Sequence, residues 1–234
     1  MIDARESRAV TAYLKALYSL AEAAPGSVSG TGLATDRRVT TTAIAERLDV
    51  SAPSATNMLK RLAARDLVTY ERYKGACLTE KGRTVALEIV RHHRLLETYL
   101  VEALGVPWEE AHDEAEALES YLSETLEERI FAALGRPRFD PHGHPIPARD
   151  GAMPKTSRRS LWDVSDGDAA RIEQVPDSHP EALRYLAEAG ILPGVRVTIV
   201  SRGPIGGPLF VRVEDNENAP VALSKEITEA IWVH

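Results

Sequence analysis

The sequence predicts an α+β fold in which a winged helix-turn-helix, a helical middle segment and a small β-barrel follow one another. Two short helical patterns around a tight turn, followed by two strand-like runs, indicate the first part. The middle shows long helical patterns, and the last part shows short strands separated by Gly, Pro and Asn turns. We therefore expect domains at residues 1–78, 79–150 and 163–234, with a linker at residues 151–162.

The N-terminal part begins with a predicted amphipathic helix over residues 4–23, whose apolar side chains recur every three or four positions. Residues 24–40, rich in Pro, Gly, Ser and Thr, are expected to form a loop. A short helix follows over residues 41–48. Ser51 is a suitable N-cap for the next helix, and Pro53 fits its first turn.

Two strand-like runs, residues 67–73 and 76–78, then predict a β-hairpin, the wing. The middle segment is expected to contain three helices, over residues 79–104, 107–121 and 123–134.

Regular structure is expected to stop over residues 135–160, which hold five prolines and three glycines. Beyond them the sequence predicts one helix, over residues 180–189, and several short strands. These strands are expected at residues 195–200, 209–213, 220–223 and 230–233.

The second helix of the helix-turn-helix carries side chains suited to DNA. Short polar groups at its start can contact base edges, and Pro53 can contact thymine methyl groups. Basic and hydroxyl groups elsewhere would bind phosphates and fix the register. The predicted DNA-contacting residues are Ser51, Pro53, Ser54, Thr56 and Asn57 at the helix start, and Thr41, Lys60, Arg72 and Lys74 on the DNA backbone. An ordinary three-helix bundle is the alternative interpretation.

Charge is distributed unevenly along the chain, whose net charge is −7. Residues 1–80 hold eleven Lys/Arg and nine Asp/Glu, whereas residues 84–130 hold three and twelve. The slightly basic head can approach phosphates, and the acidic middle attracts cations. One cysteine, Cys77, excludes an intrachain disulfide and a cysteine-rich zinc site. Neither a membrane-span pattern nor a signal peptide is evident, so we expect a cytoplasmic protein without a membrane partner.

The most informative pattern is a His-x-x-x-Glu spacing on two consecutive predicted helices, at His93–Glu97 and at His112–Glu116. Residues four apart share one helix face, so two such faces can bring imidazoles and carboxylates together. Glu119 shares the face of His112. Nitrogen and oxygen donors without sulfur suit Mn²⁺, Fe²⁺, Co²⁺, Ni²⁺ or Zn²⁺. A solvated acidic face with two surface histidines is the alternative interpretation.

Short motifs follow one another along essentially the whole chain. They are Ile44-Ala-Glu-Arg-Leu48, Val50-Ser-Ala-Pro-Ser54, Leu78-Thr-Glu-Lys-Gly82, His93-Arg-Leu-Leu-Glu97, His112-Asp-Glu-Ala-Glu116, Asp140-Pro-His-Gly143, Pro145-Ile-Pro147, Pro180-Glu-Ala-Leu-Arg-Tyr-Leu186 and Gly190-Ile-Leu-Pro-Gly194. In this order and spacing they resemble the diphtheria toxin repressor family of metal-dependent transcriptional repressors, in particular its manganese-responsive branch. The resemblance implies a homodimer that binds a palindromic DNA operator and carries an SH3-like C-terminal domain.

The resemblance also implies two metal sites. One corresponds to His93, Glu97 and His112, completed by a ligand from the SH3-like domain. His179 falls at that position, with Asp177 and Glu181 as competing candidates.

The other family site corresponds here to Glu116 and Glu119. Glu116 stands where the iron-responsive branch has Cys, which indicates the manganese branch. Ala12 falls where the family has Met or Asp, and Ser120 falls where it has His. Alanine cannot bind a metal and a serine hydroxyl is a poor ligand, so this site is expected to be empty, weak or rebuilt.

Together these observations favour a Mn²⁺-dependent, or alternatively Fe²⁺-dependent, repressor of metal-transport genes that uses no organic cofactor. One alternative is a metal-independent winged-helix regulator with a decayed site, to which Ala12 and Ser120 give weight. The other is a metal-dependent hydrolase. Against the hydrolase, no clear general base or nucleophile stands apart from the candidate ligands, and the winged helix is left unexplained.

Overall fold

A computed structural model describes residues 4–23, 37–157, 159–177, 179–214 and 219–234. Most of the expected loop at residues 24–40 therefore lies outside the described residues. The chain divides into two compact units. The first comprises Met1–His93, Leu118–Ser123 and Pro147–Pro154, and the second Arg94–Ala117, Glu124–Ile146 and Lys155–His234.

The first unit contains the predicted winged helix-turn-helix. Its elements are α1 (Ala4–Ala23), α2 (Thr41–Arg47), α3 (Ala52–Ala64), β1 (Val68–Glu71) and β2 (Gly75–Leu78). The side chain of Thr40 caps α2 by accepting a hydrogen bond from the amide of Ala43. Ser51 caps α3 in the same way, as predicted, with its hydroxyl oxygen 3.3 Å from the amide nitrogen of Ser54. Both caps satisfy amide groups that a helix N-terminus leaves without a partner.

Apolar packing fixes the three helices of this unit. Leu14 of α1, Ile44 of α2, and Leu59 and Leu62 of α3 are fully buried in one core. The first half of the next helix joins the same core through Ala86, Leu87 and Val90. The turn between α2 and α3 is thereby held against a rigid support.

The wing is hydrogen-bonded to the segment that precedes α2. Val39 and Ala76 exchange two backbone hydrogen bonds, at 2.7 and 2.9 Å. Gly75 has φ +88°, and a Cβ there would lie 2.1 Å from the carbonyl oxygen of Val39, so only glycine fits. Cys77 is buried in β2, with its Sγ 2.9 Å from the hydroxyl of Thr69 on β1.

Helix α4 (Glu80–Glu102) begins after Thr79, whose hydroxyl accepts the amide hydrogen of Gly82 at 3.0 Å. Helix α5 (Ala111–Leu118) starts four residues later than expected. The difference has a physical reason, because the ring of Trp108 packs against the barrel core and its carbonyl oxygen accepts a hydrogen bond from a loop histidine.

A 3₁₀ turn over Glu119–Tyr121 follows α5, and α6 spans Glu124–Ala133. No helix or strand occurs over residues 135–157, which agrees with the prediction for this proline-rich segment. Among the described residues, no helix combines the length and apolar character that a membrane span requires.

The C-terminal part of the second unit is a small antiparallel barrel. The described strands pair in the order β3-β8-β4-β5-β6-β7. The elements are β3 (Arg159–Ser160), β4 (Ala169–Gln174), α7 (Pro180–Glu188), β5 (Arg196–Arg202), β6 (Leu209–Val213), β7 (Val221–Leu223), α8 (Lys225–Ala230) and β8 (Trp232–Val233). The sequence prediction missed β3, β4 and α8. Strand β4 buries only Ala170 and Ile172 fully, which is a weak strand pattern.

Candidate metal centre

The repeated histidine–glutamate spacing does bring side chains together. His93 and Glu97 lie one turn apart on α4, with His93 5 % exposed and Glu97 fully buried. His112 of α5 places its Nδ1 3.1 Å from Oε1 of Glu97. One ligand atom from each of the three residues lies within 4.8 Å of the others. The three side chains are therefore arranged as a cluster of two imidazoles and one carboxylate.

The imidazole of His93 is oriented by a second buried glutamate. Nδ1 of His93 lies 2.7 Å from Oε2 of Glu119, which is itself almost fully buried. A carboxylate accepts, so Nδ1 is the donor in this pair. A carboxylate on the far nitrogen is the usual support of a metal-binding histidine. In this structure Glu119, which the sequence analysis predicted as a ligand, contacts the imidazole of His93.

Lys15 of α1 completes this arrangement. Its ammonium donates hydrogen bonds to both carboxylate oxygens of Glu119, at 3.0 and 3.1 Å. Burial acts to raise the pKa of Glu119, but His93 and Lys15 outweigh it and hold that pKa below its usual value. Glu119 is therefore an ionised carboxylate with a lysine as its cation. Nothing in the sequence pattern pointed to Lys15.

The remaining residues of the second expected metal site do not form a cluster of metal ligands. Glu116 lies on an exposed face of α5, and it joins neither group of candidate ligands among the described residues. Ala12 and Ser120 are partly buried and bring no donor that suits a metal. The described residues thus contain a lysine–glutamate pair where the resemblance implies a second metal.

The three candidates for the barrel ligand differ in their surroundings. His179 is the exposed N-cap residue before α7, and Glu181 is also exposed. Asp177 is partly buried. Burial acts to raise the pKa of Asp177, but the imidazole of His144, with those of His112 and His142, outweighs both burial and repulsion from Glu97 and lowers that pKa. Asp177 is therefore the candidate within electrostatic reach of the α4–α5 cluster.

The residues expected to contact DNA lie at the start of α2, on and just before α3, and in the wing of the first unit. Five of these residues are exposed, namely Ser51, Pro53, Ser54, Asn57 and Lys60. Thr56 and Thr41 are partly buried. The hydroxyl oxygens of Ser51 and Ser54 lie 2.9 Å apart, so the two hydroxyls can hydrogen-bond to each other in the absence of DNA.

The tip of the wing is a cluster of charged side chains. Lys74 pairs with Glu71 at 2.7 Å, and the guanidinium of Arg72 lies 4.8 Å from the ring centre of Tyr73. Arg38, which the sequence analysis did not single out, also pairs with Glu71. The hydrogen bond from Lys74, with the charge of Arg38, lowers the pKa of Glu71. Two cations, Lys74 and Arg38, thus pair with one carboxylate at a surface suited to phosphates.

Comparison with known proteins identifies three successive regions. Residues 34–76 match the iron-dependent repressor N-terminal DNA-binding domain, residues 79–148 its metal-binding and dimerisation domain, and residues 159–234 the FeoA domain. The iron-dependent repressor IdeR of Mycobacterium tuberculosis is 32 % identical over 208 residues, covering 81 % of this chain and 86 % of the relative. The chain belongs to the diphtheria toxin repressor family. The resemblance seen in the sequence motifs is confirmed.

Solved structures agree with this assignment. A manganese-dependent transcriptional repressor in complex with manganese has a TM-score of 0.83 and 38 % identity, covering 96 % of this chain and 98 % of that one. ScaR with bound Cd²⁺ has a TM-score of 0.77 and 29 % identity, with the same coverage. The α+β fold with its SH3-like C-terminal domain is confirmed. Members of this family are metal-dependent transcriptional regulators, so the hydrolase alternative is set aside.

Proposed function

We propose that the chain is a Mn²⁺-activated repressor that binds operator DNA as a homodimer and controls metal-transport genes, with Fe²⁺ as the alternative activator. The observation that carries this proposal is the buried donor set of His93, Glu97 and His112, which contains no sulfur. Carboxylate and imidazole donors favour Mn²⁺, Fe²⁺ or Zn²⁺ over metals that prefer thiolates. The manganese-bound repressor of similar structure supports the choice of Mn²⁺.

In this proposal His93 binds the metal through Nε2, because its Nδ1 is engaged by Glu119. Glu97 and His112 supply the next two donors, and Asp177 is the donor from the barrel. The bound metal supplies a divalent charge that neutralises two carboxylates within a cluster of low solvent access. The ligands must be deprotonated, so occupancy falls as pH falls and the imidazoles protonate.

Helix α4 provides the connection between metal and DNA. Its first half lies in the core of the winged helix, and its second half carries His93 and Glu97. A metal that joins α4 to α5 restrains the end of this helix. In a homodimer we expect that restraint to favour one separation of the two α3 helices, about one turn of DNA or 34 Å for adjacent half-sites.

The experiment measures DNA affinity by fluorescence anisotropy, on a duplex selected from a random-sequence library in the presence of Mn²⁺. Glu97→Gln removes the charge of the carboxylate and keeps its shape. We expect Mn²⁺ to strengthen DNA binding of the unsubstituted protein by at least about tenfold, as for typical allosteric couplings, and to have little effect on Glu97→Gln. Glu102→Gln, on an exposed part of the same helix, is the matched control.

A DNA affinity that is the same after exhaustive chelation as in Mn²⁺ contradicts the proposal and favours a metal-independent regulator.

The DNA-contacting surface is tested separately. Lys60→Ala should weaken binding to all duplexes and reduce the salt dependence by about one counterion, whereas Asn57→Ala should change the preferred sequence.

A further inference from the structure

Lys15 of α1 lies on the helix face where the resemblance places a metal ligand. Ala12, which falls at the ligand position, is three residues before Lys15, so the two residues share one face of α1. Alanine offers no donor atom, but the lysine side chain extends from the same face and ends in an ammonium. The first unit holds α1, the 3₁₀ turn over Glu119–Tyr121 and His93 together. A cation that belongs to the chain is therefore present where a metal site was expected.

The ammonium of Lys15 lies against a buried carboxylate and a buried imidazole. Its nitrogen is 3.0 and 3.1 Å from the two oxygens of Glu119 and 3.5 Å from Nδ1 of His93. The side chains of Glu119 and His93 are 3 % and 6 % exposed, and that of Lys15 is 16 % exposed. Both oxygens of the carboxylate thus have a charged hydrogen-bond donor, in surroundings where salt and water screen charges weakly.

A divalent ion does not fit at the same carboxylate. With a metal–oxygen bond of about 2.1 Å to Glu119, such an ion would lie within a few ångströms of the ammonium. Two positive charges at that separation repel strongly in a region of low solvent access. Ala12 and Ser120 bring no donor that would offset this repulsion. The residues present therefore favour the ammonium over a metal at this place.

A second contact joins α1 to the same 3₁₀ turn. The guanidinium of Arg8, about two helical turns before Lys15, lies 5.3 Å from the ring centre of Tyr121, which is a cation–π distance. Helix α1 also buries Leu14 and Leu17 in the core that it shares with α2 and α3. The turn is thus attached, through α1, to the core of the helix-turn-helix.

We propose that Lys15 is a built-in counter-ion that takes the place of the second metal and fastens α1 to the 3₁₀ turn at every metal concentration. Its ammonium neutralises Glu119 in the metal-free protein, so the contact between α1 and the turn is closed before any metal binds. The metal of the α4–α5 site then acts on a first unit in which this contact is already made. One part of the metal response that the resemblance implies is here a permanent part of the fold.

A double-mutant cycle on the full-length protein tests the role of the ammonium. The variants are Lys15→Met, Glu119→Gln and the two changes together, and the readout is the midpoint of urea unfolding in EDTA. Lys15→Met leaves a buried carboxylate without its cation, whereas the double variant has no charge at position 119. We expect the double variant to unfold at a higher urea concentration than Lys15→Met alone. Lys15→Arg keeps a cation and should unfold close to the unsubstituted chain.

The exposed pair of Lys225 and Glu229 provides the matched control. The two side chains lie 3.5 Å apart on one face of α8, and each is about half exposed. The same cycle with Lys225→Met and Glu229→Gln should give small shifts that add, because an exposed ion pair contributes little to stability. Suppression of one substitution by the other is therefore expected only for Lys15 and Glu119.

The outcome that overturns the proposal is a double variant that unfolds at a lower urea concentration than Lys15→Met. Such losses would add, and they would show that only the packing of the lysine stem matters. If Lys15→Met does not fold, recovery of folding in the double variant supports the proposal, and failure to recover overturns it.

The cycle is repeated in saturating Mn²⁺ to test whether the contact depends on metal. We expect Glu119→Gln to rescue Lys15→Met to the same extent in Mn²⁺ as in EDTA. A rescue that occurs only in Mn²⁺ would mean that a metal closes the contact, and it would overturn the proposal. If Mn²⁺ leaves the midpoint of the unsubstituted chain unchanged, the metal site proposed above fails, and the cycle in EDTA still decides the role of Lys15.

Discussion

Glu97 and Glu119 are both buried carboxylates beside an imidazole, and they differ in what neutralises them. Glu119 lies within hydrogen-bond distance of the Lys15 ammonium as well as the ring of His93. Glu97 lies beside His112, within a cluster that meets the geometric requirements of a metal site. The first carboxylate has a cation attached to the chain, and the second has imidazoles that can bind an exchangeable cation.

The difference teaches which of the two can act as a sensor. A buried carboxylate without a counter-charge is strongly unfavourable, so both positions require a cation or a proton. A lysine is present at every metal concentration and can only stabilise the fold. A metal ion is bound in proportion to its concentration, so of these two carboxylates only Glu97, through its proposed metal, can report it. We therefore propose that the lysine takes over the structural part of a role that the resemblance assigns to a second metal.

The largest expected effect is that of Lys15→Met, which leaves the charge of Glu119 without its ammonium. We expect a loss of about 3 kcal/mol in the free energy of unfolding, at the lower end for a broken buried pair because Lys15 is partly exposed. Urea unfolding of the metal-free protein measures it. Lys60→Met, at an exposed position, should change stability by less than about 0.5 kcal/mol. Equal stabilities for the two variants would show that Lys15 is not the counter-charge of Glu119.

A smaller effect is expected when the barrel ligand is changed. Asp177→Asn should raise the Mn²⁺ concentration needed for half-maximal DNA binding by about tenfold or more, because the metal loses an anionic donor. His179→Asn should leave that concentration unchanged, since His179 is exposed. The reverse pattern would assign the ligand to His179, as the sequence comparison first suggested, and would remove Asp177 from the site.

The smallest effect is expected at Glu116. Its side chain is exposed on α5, so Glu116→Ala should alter the metal response by less than about twofold, as for most surface changes. His93→Ala should abolish the response, because it removes a ligand and the partner of Glu119 together. Metal-stimulated operator binding, measured for both variants, distinguishes the second family site from the cluster around Glu97. A loss confined to Glu116→Ala would mean that the second family site, and not the cluster around Glu97, is the sensor.

Local periodicity explains what the sequence revealed. The spacing of His93 and Glu97 is one helical turn, and α4 is long enough that this spacing fixes a common face. The caps Ser51 and Thr79 could be predicted for the same reason, since a cap acts within three residues of itself. Short-range rules therefore located most helices and the candidate ligands that lie on them.

Contacts between distant residues explain what the sequence did not reveal. Lys15 and Glu119 are 104 residues apart, and no spacing rule connects them. His142 and His144 are only two residues apart, but they lie in a segment without regular structure, where no periodicity indicates their direction. Their relation to Asp177 depends on the packing of the loop against the barrel. Such pairs become visible only when the tertiary structure is known.

The buried position of Cys77 has a practical consequence for measuring how the wing moves. It is the single cysteine of the chain, and its thiol lies inside the β-hairpin next to Thr69. A thiol-specific reagent can reach it only when the hairpin opens, so the labelling rate reports the population of opened wing. Without any engineered probe, that rate can be followed as metal and DNA are added, giving a kinetic record of how each ligand tightens the DNA-binding head.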